Sequence, residues 1–382
     1  MKKLSFIFAM VLAAGTAMAQ TAVINQKSGI SDPASEQTAT ITQTGLNTAN
    51  IYQNTEKMNV PSTPVKFDHM AAATQSGGAG NSIVISQVAE GLIYGATGEK
   101  NEAEATQVGS SNSMNQTQIS GDWTSGGMDF DSYQEGTGNI GTQFGKKTSS
   151  DFDLFQNGEG NISYQGTTGE KTGVLAGDVK QIGEINNATQ LFHGENVRYA
   201  GAVIDQHGEE HTAVQEFNGS TSMWNEASHA DIIQHGEDHE AYQSQVGMGS
   251  YQKAEQYGID NHVIMYSNGN FNKAFTIQDG TEGNIVIDQK QTDENADDID
   301  DGNIAKVYQN GANSVAYVIQ DGLENQVLGL FGDDYAINNN GSYLNVSQTG
   351  EDNVVRSQQT VGSASETVVQ NGMYNTAIVS QY

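Results

Sequence analysis

The chain has 382 residues, with 46 acidic and 16 basic side chains and a formal net charge of −30 at pH 7. That charge argues against nucleic acid and anionic lipid as partners, because both are themselves anionic. The absence of cysteine excludes a disulfide framework. Only 36% of residues are hydrophobic, so composition alone would also fit a disordered chain rich in Gln and Asn.

The first 19 residues have the features of a secretory signal peptide. Lys2 and Lys3 precede a largely apolar run from Leu4 to Leu12, and small residues follow up to Ala19. This pattern predicts cleavage before Gln20. No other stretch has the roughly 18 apolar residues that cross a bilayer. We therefore expect a signal peptide at 1–19 and an exported chain at 20–382 that does not insert into a membrane.

A strict period of eleven residues organises the exported chain. It is clearest at Gln245, Gln256, Ser267, Gln278 and Gln289. A glycine stands two places after each of the first four. Periodicity of this kind indicates a repeat architecture and argues against disorder.

Each repeat reads as a seven-residue strand followed by a four-residue turn. The strand begins at an anchor, usually Asn or Ser, and ends at the Gln. Because strand side chains alternate between faces, the inward row of the last repeat would be Asn375, Ala377, Val379 and Gln381. The turn, x-Gly-x-x, puts glycine where an unusual φ is needed. Two repeats make a coil of 22 residues, which predicts an all-β fold of the β-solenoid class.

The same frame extends from Gln20–Gln26 to Asn375–Gln381 and predicts 28 strands in 14 coils. It is least regular between Asn139 and Ala200. Three of the five strands predicted there, at Asn139–Gly145, Asn161–Thr167 and Asn187–His193, do not end in Gln, and Gln143 and Gln165 come two residues early in the first two.

The links between strands also show a pattern. Nearly all long links follow odd-numbered strands, which predicts that the insertions lie along one edge of the solenoid. The exception is the segment 332–341, which follows the strand predicted at Asn325–Phe331 and would place a loop on the other edge.

Stacked coils would place each amide above another about 4.7 to 4.8 Å away. Such amides can bond one another along the stack, whereas a buried amide without partners costs roughly 1 to 3 kcal/mol. We predict a structural ladder of glutamines and one serine at the strand ends and of asparagines at the anchors. Its members are Gln245, Gln256, Ser267, Gln278, Gln289, Gln309, Gln320, Gln348, Gln359, Gln370, Gln381, Asn261, Asn272, Asn303, Asn353 and Asn375.

These residues resemble the curlin repeat family. The match is clearest from Ser267 to Gln278 and from Gln370 to Gln381, and the ending Gln381-Tyr382 is similar to that of the major curli subunit. The resemblance implies a secreted subunit that polymerises with itself into amyloid-like fibres of the biofilm matrix. It also implies export through an outer-membrane channel and nucleation by a minor subunit.

Other chemistry is weakly indicated. His207, His211, His235 and His239 lie in two similar turns and are candidate zinc or copper ligands, although the second histidine of each turn could simply replace Asn as anchor. The acidic segment 290–301 lacks the spacing of a calcium loop and reads as a solvated loop.

Outward tyrosines could bind sugars, dyes or surfaces, or could pair across the sheet. They are Tyr52, Tyr242, Tyr266, Tyr308 and Tyr317. The sequence has no nucleophile motif and no phosphate loop, so it predicts neither an enzyme nor a cofactor.

The sequence therefore favours a secreted, self-assembling fibre subunit on the cell surface. The alternative is a monomeric β-solenoid adhesin or ligand-binding protein that uses its loop-decorated edge.

Overall fold

The fold is that of a computed structural model, which describes residues 7–13, 20–28, 37–55, 67–89, 99–120, 127–146, 149–168, 174–194, 197–219, 225–291, 302–330, 335–360 and 362–381. The chain divides into two compact units, unit 1 at residues 1–199 and unit 2 at residues 200–382. Every secondary-structure element in the described residues is a β-strand.

The strands of unit 1 are β1 Ile7–Ala13, β2 Thr21–Ser28, β3 Gln37–Gln43, β4 Thr48–Thr55, β5 Phe67–Ser76, β6 Ser82–Ala89, β7 Glu99–Ser110, β8 Ser113–Ser120, β9 Asp129–Thr137, β10 Ile140–Lys146, β11 Ser149–Glu159, β12 Ile162–Thr167, β13 Val174–Glu184, β14 Asn187–Gly194 and β15 Val197–Arg198.

The strands of unit 2 are β16 Ala200–Glu209, β17 Thr212–Gly219, β18 Asn225–Glu226, β19 His229–Glu237, β20 Glu240–Val246, β21 Tyr251–Ile259, β22 His262–Asn268, β23 Lys273–Thr281, β24 Asn284–Lys290, β25 Ile304–Ala312, β26 Val315–Leu323, β27 Gln326–Leu328, β28 Ala336–Asn339, β29 Tyr343–Glu351, β30 Val354–Gln359, β31 Ser365–Met373 and β32 Thr376–Gln381.

Each unit contains two parallel sheets, and successive strands alternate between them, apart from β27 and β28, which both lie in sheet A2, and β15 and β18, which lie in neither sheet. In unit 1, sheet A1 holds β1, β3, β5, β7, β9, β11 and β13, and sheet B1 holds β2, β4, β6, β8, β10, β12 and β14. In unit 2, sheet A2 holds β16, β19, β21, β23, β25, β30 and β32, with β27 and β28 sharing the place between β25 and β30. Sheet B2 holds β17, β20, β22, β24, β26, β29 and β31. This is the predicted β-solenoid, and each of the 28 predicted strands has a counterpart.

Neighbouring strands pair in register, so equivalent places of the repeat stack on one another. Gln134 lies beside Gln156 in sheet A1, and Gln256 lies beside Gln278 in sheet A2. Burial alternates along the strands, as in β3 and β19. The inward side chains are small or aliphatic at the middle places and amides at the ends, for example Ile232 and Gln234 in β19. The core therefore combines apolar packing with rows of buried amides.

The turns explain the glycine of each repeat. Gly158 has φ of 132°, and a side chain there would collide with the carbonyl oxygen of Gly183 in the next coil. Two residues later the chain again takes a left-handed conformation, at Gly160 and at equivalent places such as Asp238 and Asp260. Asp and Asn tolerate that conformation better than most residues. Of the two left-handed positions in the turn, only the first, which Gly158 occupies, therefore demands glycine.

Long links run from sheet B to sheet A within each unit, as the spacing predicts. One detail of that prediction is wrong. The segment after Asn325 does not form a seven-residue strand ending at Phe331, because β27 stops at Leu328 and the coil is completed by β28. Asn338 then lies beside Gln309 at the ladder place. The insertion therefore interrupts a strand of sheet A2 and leaves the plain edge with a short turn.

The frame is also wrong by one residue at Asn187–His193. Asn186 is the buried anchor, and its backbone N–H donates to Asn161 Oδ1 at 3.1 Å. Gln190 and Phe192 point inward, whereas Asn187 is exposed. Because Asn186 and Asn187 are adjacent, the sequence fits a repeat that begins at either of them. The inward side chain of Phe192 shows that the repeat begins at Asn186. The other two irregular strands, at Asn139 and Asn161, keep the predicted frame.

Part of the predicted signal peptide is described. Residues 7–13 form β1, which pairs with β3 in parallel. The predicted cleavage region at 14–19 lies outside the described residues. Among the residues that are described, no helix is long and apolar enough to span a membrane.

Candidate functional site

Glutamine side chains at the ends of successive strands are joined by hydrogen bonds from Nε2 to Oε1. In sheet A2, bonds of 2.8–3.0 Å link Gln206, Gln234, Gln256, Gln278 and Gln309 in that order. All five side chains are buried. Every donor points towards the strand that comes later in the chain, so the ladder has a direction.

Sheet B2 has an equivalent ladder that runs through Gln289, Gln320, Gln348 and Gln370, with bonds of 2.9–3.0 Å. The second hydrogen of the amide ties the ladder to the backbone. Gln320 Nε2, for instance, also donates to the carbonyl oxygens of Asn325 and Ile304 at 2.8 and 3.1 Å. Most of the predicted ladder glutamines are thus brought together, but in two separate ladders that alternate along the sequence.

Three predicted members depart from the glutamine-to-glutamine pattern. Gln359 Nε2 donates to Glu366 Oε2 at 3.3 Å, and Gln381 Nε2 donates to the carbonyl oxygen of Ser365 at 3.4 Å. Ser267 lies between Gln245 and Gln289 in register, but its hydroxyl bonds Ser250 Oγ at 3.3 Å instead. Gln289 Oε1 is buried and receives no hydrogen bond within the described residues. The short serine side chain therefore interrupts the ladder of sheet B2 at this coil.

The same arrangement continues in unit 1. Nε2 to Oε1 bonds of 2.6–2.9 Å connect Gln43, Gln75, Gln107, Gln134, Gln156 and Gln181 in sheet A1. Bonds of 2.7–2.8 Å connect Gln26, Gln53, Gln87 and Gln118 in sheet B1.

A further glutamine ladder was not predicted. It lies in the middle of the sheet B strands and joins Gln116, Gln143, Gln165 and Gln190 at 2.9–3.0 Å in unit 1. Gln215 and Gln243 form the same contact at 3.0 Å in unit 2. The glutamines that come early, Gln143 and Gln165, were the signal for it, because both stand at the fifth, inward place of their strands.

Anchor asparagines also form columns, but here each donor to another anchor points towards the strand that comes earlier in the chain, opposite to the glutamine ladders. The backbone N–H and Nδ2 of Asn325 both donate to Asn303 Oδ1 at 3.1 Å, and the same pattern joins Asn353 to Asn325 and Asn375 to Asn353. Asn325 Nδ2 also donates to the carbonyl oxygen of Gly350 at 2.9 Å. The anchors therefore hold the turn glycines of the next coil. Asn272 and Asn303 belong to this column, whereas Asn261 belongs to the column of sheet B2.

Two of the candidate metal ligands stand in the asparagine column of sheet B2. His211 and His239 are buried and stacked, with ring centroids 5.0 Å apart. His239 Nδ1 accepts the backbone N–H of Asn261 at 3.2 Å, and its Nε2 lies 3.1 Å from the carbonyl oxygen of His235. This pattern fits a neutral ring with the proton on Nε2, because Nδ1 must then be the acceptor.

The other two histidines lie outside the core. His207 and His235 stack with centroids 4.9 Å apart, and His207 Nε2 lies 2.8 Å from Asp205 Oδ1. The four rings thus form two pairs, one inward and one outward. In the part of the chain that the structure describes, no three His, Asp or Glu side chains are arranged to hold a metal ion.

A column of carboxylates runs along the outer face of sheet A1. Glu104, Asp131, Asp153 and Asp178 lie side by side on successive strands. They line a surface groove of about 440 Å³. Desolvation, together with the neighbouring carboxylates, raises the pKa of Asp131 to about 6 and also raises the pKa of Asp153. The carboxylates of this column therefore repel one another when they are ionised.

Outward tyrosines pair across strands in part. The rings of Tyr242 and Tyr266 lie 5.5 Å apart and tilted, and those of Tyr317 and Tyr343 lie 6.0 Å apart. Tyr52 is exposed, and Tyr308 Oη accepts a hydrogen bond from Asn310 Nδ2 at 3.1 Å. Residues 292–301 of the predicted acidic loop lie outside the described residues.

The ladders reach strands that have a neighbour on one side. Among the described strands, β2 pairs only with β4, and β31 pairs only with β29. Gln26 Oε1 is buried and receives no hydrogen bond from the described residues. Gln370 Nε2 donates to the carbonyl oxygen of Val354 at 3.1 Å, which leaves its second hydrogen available. The acceptor at β2 and the donor at β31 are therefore complementary.

Comparison with models of protein families gives no match. Comparison with the curated proteins gives none either. The function is therefore inferred from the geometry of the repeats.

Proposed function

We propose that this protein is a secreted structural subunit that assembles with copies of itself into curli-like fibres of a biofilm matrix. The observation that carries the proposal is the complementarity of the open strands β2 and β31. Each has one unpaired edge among the described strands, and an exposed edge is a template for pairing with another chain. Soluble β-proteins normally cover or blunt such edges.

The side chains at these edges favour head-to-tail addition. If β2 of one copy adds to β31 of another in the register used throughout the sheets, Gln26 lies beside Gln370. Gln370 Nε2 can then donate to Gln26 Oε1, which is buried and lacks a donor. A buried amide oxygen without a partner costs roughly 1 to 3 kcal/mol, so the junction would recover energy that the single chain lacks.

The second strand of the junction would be β32 on β3. In this proposal β32 of one copy takes the place beside β3 that β1 occupies in the single chain. Removal of residues 1–19 as a signal peptide would open this edge. Export therefore precedes assembly, which fits a fibre built outside the cell, with an outer-membrane channel and a nucleating subunit as further partners.

Seeded growth tests this function. Protein lacking residues 1–19 should form concentration-dependent fibres that shorten the lag of a fresh solution, and fibre diffraction should give the 4.7–4.8 Å strand spacing. A chain that remains monomeric for days at high concentration would overturn the proposal. That result would favour a monomeric β-solenoid adhesin.

A further inference from the structure

Glu366 is a carboxyl side chain in the core of the coil that carries the open edge. It lies in β31, at the third place of the seven-residue repeat that begins at Ala364, and is 3% exposed. In the six earlier strands of sheet B2 this place holds an apolar side chain, and the immediate neighbour is Leu344. A carboxyl group at such a place needs an explanation, because an ionised carboxylate is costly to bury without a partner of opposite charge.

The contacts of Glu366 are hydroxyl and amide groups. Ser357 Oγ donates to Glu366 Oε2 at 2.5 Å, and Gln359 Nε2 donates to the same oxygen at 3.3 Å. Glu366 Oε1 is buried and has no hydrogen-bond partner in the described part of the chain. One oxygen is thus satisfied, and the other is placed where a proton would remove the cost of its charge.

Among the described residues, no charged group faces Glu366 from the strands around it. The inward side chains of β29 are Leu344, Val346 and Gln348, those of β30 are Val355, Ser357 and Gln359, and those of β32 are Ala377, Val379 and Gln381. None of these titrates between pH 4 and 9. Burial raises the pKa of Glu366, and the bonds from Ser357 and Gln359 act in the opposite direction.

Addition of a second copy would complete the enclosure. In the register of the proposed junction, Ala22 of the incoming β2 lies beside Glu366, and its methyl group offers neither charge nor hydrogen bond. The carboxyl group would then lie between Leu344 and Ala22, further from water than in the single chain. The enclosed group favours its neutral form more strongly.

We infer that Glu366 makes fibre growth conditional on protonation, with one proton taken from solvent to its carboxylate for each junction formed. This inference rests on the proposed function, since it concerns the same junction. In this proposal the pKa of Glu366 is raised more in the fibre than in the free subunit. Growth is therefore favoured below the pKa of the free subunit and loses this advantage as pH rises through the pKa of the fibre.

The test compares seeded growth of the protein lacking residues 1–19 at pH 5 to 8 with that of two variants. Uptake of one proton per junction raises the critical concentration about tenfold for each pH unit between the pKa of the free subunit and that of the fibre, so we expect the critical concentration of the wild type to rise by roughly tenfold or more over this range. Glu366→Gln keeps the shape and removes the charge, and it should flatten the profile. Glu351→Gln removes one charge from the surface of the preceding strand in sheet B2 and should keep the wild-type slope.

Proton uptake gives an independent readout. Growth in weakly buffered solution, at the pH where the wild-type profile is steepest, should take up about one proton more per subunit in Glu351→Gln than in Glu366→Gln. Should Glu366→Gln fail to fold, uptake by the wild type decides, and none would overturn the inference. Fibres of Glu366→Gln with the wild-type slope would also overturn it. Absence of seeded growth in every protein at every pH would instead overturn the proposed function.

Discussion

The backbone N–H of His239 donates to Nδ1 of His211 at 3.3 Å, while the two rings stack 5.0 Å apart. His211 Nδ1 therefore accepts the backbone N–H that an asparagine Oδ1 accepts in most other coils. Burial lowers the pKa of His211 and lowers that of His239 to about 4. The column is held together only while both rings are neutral, because a protonated Nδ1 could not accept the next backbone N–H.

Acid should therefore destabilise unit 2 through this column. The pKa of His239 is lower in the folded chain than in the unfolded chain, so its contribution is present above about pH 6.5 and is lost as pH falls towards 4. We expect His239→Asn to change the free energy of unfolding little at pH 7. At pH 5 the variant should be more stable than wild type by about 1 kcal/mol, with allowance for solvent screening. Denaturant unfolding at both pH values measures this, and equal differences at the two would contradict it.

The glutamine ladder gives a second prediction. Gln278→Ala removes the acceptor of Gln256 and the donor of Gln309, so two buried amides lose a partner. We expect a loss of roughly 1 to 3 kcal/mol in the free energy of unfolding and slower fibre growth. Tyr308→Ala, on the outer face of the neighbouring strand β25, is the control and should cost less. Equal losses in unfolding experiments would show that the inward and outward faces have been assigned wrongly.

The turn glycines give a third. Gly158→Ala forces a Cβ against the carbonyl oxygen of Gly183 at a positive φ, so the backbone must move or the coil must open. We expect a loss of about 2 kcal/mol or more. A Cβ at Gly160 in the same turn would meet Ile185 Cγ1 at an ordinary contact distance of 3.8 Å, and asparagine tolerates the left-handed φ of 68° there, so Gly160→Asn is the control. Thermal unfolding should separate the two variants clearly, and similar midpoints would argue against the stacked turns.

The carboxylate column of unit 1 gives a fourth. The pKa of Asp131 is raised to about 6, so the side chain favours the folded state at low pH and this advantage is lost as pH rises through 6. Asp131→Asn should therefore stabilise the protein at pH 8 by about 1 kcal/mol, and added salt should reduce the difference. Asp321→Asn, outside the column, is the matched control. A gain for both variants alike would point to net charge in place of the column.

Much of this fold follows from periodicity because a solenoid repeats the same local decision. The eleven-residue period predicts the inward and outward faces, the turn glycines and the separation of long from short links. The frame failed where two asparagines are adjacent, at Asn186 and Asn187, since both can serve as an anchor. The predicted frame also failed after Leu328. An insertion lies within a strand there, and counting residues between repeats cannot tell it from a link between strands.

Side-chain pairing across coils was harder to predict. The ladder of Gln116, Gln143 and Gln165 requires knowing that these strands are neighbours in one sheet, although they are about 25 residues apart. The buried place of Glu366 follows from the repeat frame, but its contact with Ser357 depends on packing between the two sheets. Contacts of that kind become visible only once the coils are stacked.

The head-to-tail junction can be tested most directly by crosslinking, because the chain has no cysteine of its own. In the proposed register Lys27 of one copy lies beside Asn371 of the next, at a strand spacing of about 4.8 Å that permits a disulfide. Fibres of Lys27→Cys with Asn371→Cys should yield a series of covalent oligomers on oxidation. Fibres of Val23→Cys with Asn371→Cys, roughly 13 Å out of register, should yield none. Fibres of the first pair that remain uncrosslinked, or equal crosslinking of both pairs, would contradict the junction.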